Sequence, residues 1–233
     1  MKKKTNPLKT SLLSALALGL ALSASAQETQ SSTATSTEPL AVDTGPGLVG
    51  TNYTELSFGY DKQQGAPSVL RDYELVSNGS AYRQGLWGVD ANFTYDYVDG
   101  SAYGFDDRRD EAQLGLTGFM LESWGKPFVT ADAGFAWQRA GDVSRKSFAY
   151  TGIAGVEFEV LRLLALTPFI EYQAEPHLYN HGLPTDNMYN HLFDYGVKAT
   201  YRISRNWNAS LGASLDQHSV RDWGLRGGVS YHF

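Results

Sequence analysis

Most of the chain alternates between apolar and polar positions with a period of two. In residues 207–216, one face reads Trp, Ala, Leu, Ala and Leu, and the other reads Asn, Ser, Gly, Ser and Asp. The same alternation runs through residues 193–203 and 87–97. A period of two is typical of β-strands that have one apolar and one polar face. The pattern therefore predicts amphipathic strands from about residue 49 onward.

The pattern predicts ten strands, and they are long. Ordinary strands average about five or six residues, whereas a strand that crosses a membrane needs about 9–11. The segment 69–78 alternates least clearly, so an eight-stranded barrel that begins near residue 83 stays an alternative. The ten predicted strands are 51–61, 69–78, 83–98, 109–121, 127–140, 147–160, 165–177, 190–203, 207–217 and 222–233.

The connections between these strands alternate in length, as in outer-membrane barrels with short periplasmic turns and longer outer loops. Lipid offers no hydrogen-bond partner to the backbone, so a membrane-crossing sheet has to close on itself. The predicted fold is all-β, a transmembrane antiparallel up-and-down β-barrel, with a soluble β-sandwich as the alternative that strand length opposes. The short turns are 79–82, 122–126, 161–164 and 204–206, and the mostly longer loops are 62–68, 99–108, 141–146 and 178–189.

The first 26 residues have the three parts of a secretory signal peptide. Four lysines precede an apolar stretch from Ser11 to Ser23, and Ala24-Ser25-Ala26 forms a small-x-small cleavage site. The apolar stretch is too short for the alternative, a membrane anchor helix, which needs about 20 residues. Residues 27–48 contain no aromatic and no basic residue and predict a disordered linker. The domains are therefore signal peptide 1–26, linker 27–48 and barrel 49–233.

Composition narrows the possible chemistry. The chain has no cysteine, which excludes a disulfide framework, a zinc-thiolate site, a lipoprotein anchor and a thiol nucleophile. Its net charge is −6, and the acidic balance argues against a nucleic-acid partner. Of the 30 aromatic residues, nine fall on predicted outward strand faces, many of them near strand ends, which is typical of the interfacial girdles of barrels. They are Trp87, Tyr97, Trp137, Tyr150, Tyr172, Tyr201, Trp207, Trp223 and Tyr231.

The last strand carries a family resemblance. Arg226 and Gly228 are followed by the alternating aromatic residues Tyr231 and Phe233, the last residue of the sequence. This arrangement resembles the C-terminal signal of bacterial outer-membrane β-barrel proteins, and the chain is similar to their small porin-like or OmpX-like class over residues 49–233. The resemblance implies an outer-membrane location, contact with outer-membrane lipid and recognition by the barrel-assembly machinery.

The polar faces predict a lumen in which acidic residues outnumber basic ones. Such a lumen attracts cations if it holds water. The alternative is a lumen filled by paired side chains, because small barrels are just wide enough for side chains to fill. The candidate lumen-facing residues are Glu55, Asp90, Asp132, Glu157, Glu171, Asp194, Lys198, Arg202, Asp216 and Arg226.

Glycine recurs on almost every predicted inward face although it weakens strands. Three explanations remain open from the sequence: relief of curvature at a small radius, room beside the inward phenylalanines 119, 128 and 169, or a water path. The inward glycines are Gly59, Gly88, Gly115, Gly134, Gly155, Gly196, Gly212 and Gly228.

Two functions are favoured by these features, and an omptin-like protease is a distant third. The first is a narrow passive pore for ions or small solutes. The second is a structural or adhesive barrel with a filled lumen that binds an extracellular ligand through loop 178–189. No catalytic residue and no cofactor is predicted, and an enzyme is not expected.

Weaker chemical signals lie near two predicted loops. The Asp-Gln-His run at 216–218 is similar to the Asp-x-His of omptins, outer-membrane proteases, but the chain is shorter and lacks their second acidic pair. Neutral imidazoles can bind transition metals, yet the histidines here have no compact ligand spacing, and no metal site is predicted. The residues considered are His177, His181 and His191 with Asp186 and Tyr179.

Overall fold

A computed structural model describes residues 45–62, 69–102, 105–175, 190–216 and 219–233. They form ten antiparallel strands that pair in chain order, and β1 pairs with β10 to close a barrel. The predicted all-β barrel of ten strands is confirmed, and the eight-stranded alternative is wrong. No helix within the described ranges is long and apolar enough to span a membrane. The strands are β1 (Tyr53–Lys62), β2 (Val69–Gln84), β3 (Trp87–Ala102), β4 (Phe105–Met120), β5 (Lys126–Ala140), β6 (Val143–Leu161), β7 (Leu164–Glu175), β8 (Asn190–Arg202), β9 (Trp207–Asp216) and β10 (Ser219–His232).

The two ends of the barrel differ. At the terminal end, β1 begins and β10 ends, and the Phe233 N–H donates to the Asn52 carbonyl at 3.3 Å. The connections at this end are short and span residues 85–86, 121–125, 162–163 and 203–206. The opposite end, called the far end below, carries the other connections.

The first turn at the terminal end is not where the sequence places it. The sequence predicts a short turn at 79–82, but β2 continues through these residues to Gln84. The Asn78 side chain donates to the Thr51 carbonyl at 2.8 Å and to Asp90 at 3.0 Å, so it joins neighbouring segments instead of capping its own turn. The chain reverses at Gly85, whose φ of 58° suits a residue without a Cβ.

Two predicted loops at the far end are strands instead. The predicted loop 99–108 is mostly hairpin, since β3 and β4 stay paired up to Ala102 opposite Phe105. The predicted loop 141–146 shrinks to a two-residue turn, since β5 and β6 stay paired up to Ala140 opposite Val143. Backbone hydrogen bonds need no apolar alternation, so a ladder can continue where both faces become polar. With 19 residues, β6 is longer than the roughly 9–11 that cross a membrane.

The outward face of the barrel is apolar. Leu211 is 64% exposed and Val129 62% exposed. A continuous apolar surface of this kind is stable in lipid and costly in water. Aromatic side chains border it at both ends. The terminal girdle comprises Tyr82, Trp87, Trp124, Tyr201, Trp207 and Tyr231, and the far girdle comprises Tyr60, Phe135, Trp137, Phe148, Tyr150, Tyr172 and Trp223.

The C-terminal motif occupies the closing strand. Tyr231 faces outward and packs edge-on against Trp207, with ring centroids 5.0 Å apart. Arg226 and Gly228 face the lumen. Tyr231 is therefore a motif residue that another protein could contact from the lipid side.

We expect deletion of Phe233 to abolish most insertion of the barrel into the outer membrane. The loss removes the terminal aromatic while β10 keeps its pairing with β9 and β1. The measurement is the amount of heat-modifiable barrel in the membrane fraction, with Phe135→Ala as a control at another outward aromatic. Normal insertion of the truncated chain would count against the C-terminal signal.

Candidate functional site

Three lumen phenylalanines each lie directly opposite a glycine on the next strand. A Cβ on Gly155 would come within 2.8 Å of the Phe128 ring, and one on Gly196 within 2.7 Å of the Phe169 ring. These glycines therefore make room for aromatic rings, one of the three explanations that the sequence leaves open. The pairs are Gly88 with Phe119, Gly155 with Phe128, and Gly196 with Phe169.

The lumen encloses a cavity of about 400 Å³. In the described part of the chain, the carboxylates that line it outnumber the basic side chains. An excess of fixed negative charge between low-dielectric walls concentrates cations. The lining carboxylates are Glu55, Asp72, Glu74, Asp90, Asp96, Glu111, Asp132, Glu157, Glu171 and Asp194, and the lining basic residues are Arg109, Lys198 and Arg226.

The structure places the sequence-predicted lumen residues as follows. Arg202 lies at the terminal end and donates to the backbone of the chain's own N-terminal segment. Asp216 pairs with Asp194 in the strand register, and its side chain lies outside the described residues. The other predicted residues line the cavity: Glu55, Asp90, Asp132, Glu157, Glu171, Asp194, Lys198 and Arg226.

An ionic bridge crosses the lumen near the far end. Arg109 on β4 contacts Glu175 on β7 at 3.0 Å and Asp96 on β3 at 3.4 Å. Two residues closer to the terminal end on β4, Glu111 accepts a hydrogen bond from Gln173 on β7 at 3.2 Å. These contacts connect β4 with β7, three strands away around the barrel, and fill part of the lumen. Arg109 could not be recognised as a lumen residue from the sequence, because charges occupy both faces of residues 106–111 and hide the alternation.

A second set of ion pairs holds the wall near the closing strand. Arg226 contacts Glu74 at 2.6 Å and also Asp72. Lys198 crosses from β8 to Glu55 on β1 at 2.6 Å. Asp72 was missed because it lies in the segment whose alternation is weakest, although it is two positions from Glu74 and so shares its face.

Gly228 leaves space for the hydrogen bonds around Glu55. Ser210 donates to Glu55 at 2.5 Å beside the Lys198 contact. A Cβ on Gly228 would lie 2.7 Å from Glu55 and 2.8 Å from Ser210. The glycine of the C-terminal motif thus also has a packing role in the lumen.

The remaining carboxylates form an acidic side of the cavity on β5, β7 and β8. Glu171 and Asp194 lie directly opposite each other in the β7–β8 register. Asp132 accepts a hydrogen bond from the Asn92 amide at 2.8 Å, which orients it without neutralising it. This side of the lumen faces Arg226 and can attract small cations.

Residues 45–50, called the plug below, enter the lumen at the terminal end. Glu157 accepts hydrogen bonds from the Leu48 N–H at 2.6 Å and the Val49 N–H at 3.2 Å. Asn208 donates to the Pro46 carbonyl at 2.9 Å, and Pro46 is fully buried. The sequence assigned residues 45–48 to a disordered linker, whereas here side chains of β6, β8 and β9 hold them. The difference arises because the contacts use the plug's backbone, which composition does not reveal.

The fit of the plug depends on its small residues. A Cβ on Gly47 would overlap the Glu157 carboxylate, which Lys126 holds in place at 3.2 Å. Gly50 has a φ of 77°, which turns the chain from the lumen into β1. Arg83 donates to the Gly50 carbonyl at 2.5 Å. Residues of the chain itself therefore occupy the terminal mouth.

Several sequence predictions fall outside the described residues. These are the signal peptide 1–26, linker residues 27–44, the loop 178–189 and positions 217–218 of the Asp-Gln-His run. The side chains of the loop histidines also lie outside them. In the part of the chain that the structure describes, no group of three or more potential ligands is placed to hold a metal ion.

The closed antiparallel barrel, its apolar belt and its two aromatic girdles define the class of this chain, an outer-membrane-type transmembrane β-barrel. No protein-family model and no curated protein matches the sequence.

The fold is similar to several solved outer-membrane barrels. An outer-membrane channel from Pseudomonas putida F1 matches with a TM-score of 0.47 and 8% identity, over 85% of this chain and 100% of that one. The β domain of the Bordetella autotransporter BrkA matches at 0.47 and 13%, over 78% and 99%. The translocator domain of the autotransporter NalP from Neisseria meningitidis matches at 0.41 and 10%, over 78% and 87%. The class of this chain rests on its own geometry.

Proposed function

We propose that this protein is a narrow passive passage for small cations across the bacterial outer membrane, closed at its terminal end by the plug. The observation that carries the proposal is the acidic cavity of about 400 Å³ inside the barrel. The even strand number leaves both chain ends on the side from which a secreted chain arrives. In this proposal the terminal end faces the periplasm and the plug is the periplasmic gate.

The charge distribution supports a preference for cations. Glu171 and Asp132 line the cavity on one side, and Arg226 and Lys198 are already engaged by other carboxylates. A cation that enters therefore meets negative charge that no lumen lysine or arginine contacts at salt-bridge distance in the described chain. Rings of carboxylates are a common basis of cation selectivity in channels.

The second candidate is a structural barrel with a filled lumen. The bridge from Arg109 to Glu175 favours it, because that bridge spans the lumen and resists opening. In that case the plug is a permanent part of the core and the function lies in the far-end loops. The two candidates differ in whether displacement of the plug produces ion flow.

The test of selectivity uses a plug-displaced background, Gly47→Val, in planar bilayers. We expect Glu171→Gln and Asp132→Asn each to lower the ratio of cation to anion permeability, because each removes one lumen charge. The readout is the reversal potential in a salt gradient. Asp142→Asn, in the exposed turn between β5 and β6, removes the same charge outside the lumen and serves as the control. Unchanged selectivity in both lumen variants would reject the cation passage.

A further inference from the structure

The lipid-facing surface carries a basic patch at the far girdle. Arg108 on β4 lies directly opposite Arg139 on β5, and Lys146 on β6 lies directly opposite Trp137. All three basic side chains are exposed. Arg108, Arg139 and Lys146 are called the basic belt below. The chain as a whole is acidic, so a cluster of this sign is not a consequence of composition.

The basic belt faces outward and not into the lumen. Directly paired residues share a face of the sheet, and Trp137 opposite Lys146 is 39% exposed on the apolar surface. On the same strands, Gln138 and Ser147 point to the other face and are buried. The position of each basic side chain is thus fixed by the barrel register.

The belt also lies at a defined depth. Phe135 contacts Trp137 and Phe148, with ring centroids 6.4 and 5.7 Å apart, and these rings belong to the far girdle. Aromatic girdles mark the level at which lipid headgroups begin. Lys146 lies at this level, and Arg139 lies two residues beyond Trp137. The belt is therefore held among headgroups, with apolar surface directly below it.

Two carboxylates approach the belt, and one of them forms a salt bridge with Arg108. Asp99 faces Arg108 at 3.8 Å, and Asp110 accepts a hydrogen bond from Tyr95 at 2.5 Å. Within the described residues, neither Arg139 nor Lys146 forms a salt bridge. Positive charge thus remains at the place where the surrounding molecules are lipids.

We propose that the basic belt binds the phosphate groups of lipid headgroups around the far end of the barrel. Arginine offers a planar set of donors that matches phosphate oxygens, and lysine adds a point charge. The apolar surface and rings below the belt contact the acyl chains of the same lipid. A free phosphate ion would lack that second contact, which is why the proposal commits to the lipid. It holds whether or not the lumen conducts.

The test compares lipids bound to the refolded barrel by native mass spectrometry. The probes are phosphorylated lipid A and the same lipid without its phosphates. We expect the wild-type barrel to prefer phosphorylated lipid A. The double variant Arg139→Gln with Lys146→Gln should lower that preference by about fivefold for each of the two cations removed. Inorganic phosphate should not displace the lipid; displacement would show a free-phosphate site and overturn the proposal.

Two control variants make the result specific. Arg139→Lys with Lys146→Arg keeps both charges and should keep the preference. Arg162→Gln with Arg205→Gln removes two exposed cations from turns at the terminal end and should leave it unchanged. An equal loss in this pair would mean that total charge decides, and an unchanged preference in the belt variant would mean that the belt does not bind phosphate. Heat-modifiable migration confirms that every variant is folded.

Discussion

Replacement of Gly47 by valine is expected to turn a closed barrel into a conducting one. The valine side chain would overlap the Glu157 carboxylate, which accepts two plug N–H groups and is held by Lys126. Either the Glu157 carboxylate or the plug must move, and both movements break the two hydrogen bonds that hold Leu48 and Val49 in the lumen. Planar-bilayer recordings should then show discrete steps that are rare or absent in the wild-type chain.

The matched control is Gly118→Val. Gly118 lies on the outward face of β4, and a Cβ there would meet nothing within 4 Å. The same substitution in the same fold should therefore leave the recordings unchanged. If the Gly47 variant folds and gives no steps, the lumen is filled apart from the plug, and the structural barrel becomes the better proposal.

A cysteine introduced into the cavity distinguishes current that flows through the lumen from current that leaks around the barrel. The chain has no cysteine of its own, so a single introduced thiol is unique. Gly212 lines the cavity, and a Cβ there would have only ordinary contacts, at 3.7 and 3.8 Å. In the plug-displaced background, a thiol reagent should reduce conductance of Gly212→Cys. Steps that the reagent does not alter would not come from the lumen.

The strands could be predicted because one physical demand acts on all of them. Each residue of a barrel wall faces either lipid or lumen, so polarity alternates wherever the wall crosses the membrane. The closure of the sheet follows from the need to pair every backbone group in lipid. Segment 69–78 was least clear because residues 70–76 alternate poorly, although β2 extends from Val69 to Gln84 and pairs with both of its neighbours.

The plug could not be predicted from the same pattern. Its Gly-Pro-Gly sequence is typical of loops, and its contacts are backbone groups that any residues could provide. The specific signal lies elsewhere in the chain, in Glu157 and Asn208, whose side chains end at the terminal mouth. Only the closed barrel brings these residues to a segment more than one hundred positions away.

The ion pairs inside the lumen could not be predicted from the alternation pattern either. Alternation predicted which charges face inward, including Glu55, Lys198 and Arg226, but not which of them meet. Lys198 and Glu55, for example, lie on strands that are three apart around the barrel. The stagger between neighbouring strands decides whether two such side chains lie at the same height in the lumen. The sequence therefore predicts the sign of the lumen charge better than its distribution.

Loss of the Arg226 charge is expected to cause the largest loss of stability among the lumen variants. Arg226 contacts Asp72 and Glu74, and the Asp72 side chain is only 4% exposed. Arg226→Met would leave these carboxylates without their cation in a poorly hydrated place. Because Arg226 itself is partly hydrated by the cavity, we expect the free energy of unfolding to fall by about 2 kcal/mol. Urea unfolding of the barrel in lipid vesicles measures it.

A double-variant cycle shows whether the cost comes from the ion pair. Asp72→Asn removes the buried charge, so the Arg226→Met substitution should cost much less when the two are combined. Arg205→Met, in an exposed turn at the terminal end, controls for the loss of an arginine. Because Arg226 also belongs to the C-terminal motif, refolding of purified chain keeps assembly in cells out of the measurement. If Arg226→Met lowers the free energy of unfolding equally with and without Asp72→Asn, then Arg226 stabilises the barrel by packing. In that case water screens the lumen charges from one another.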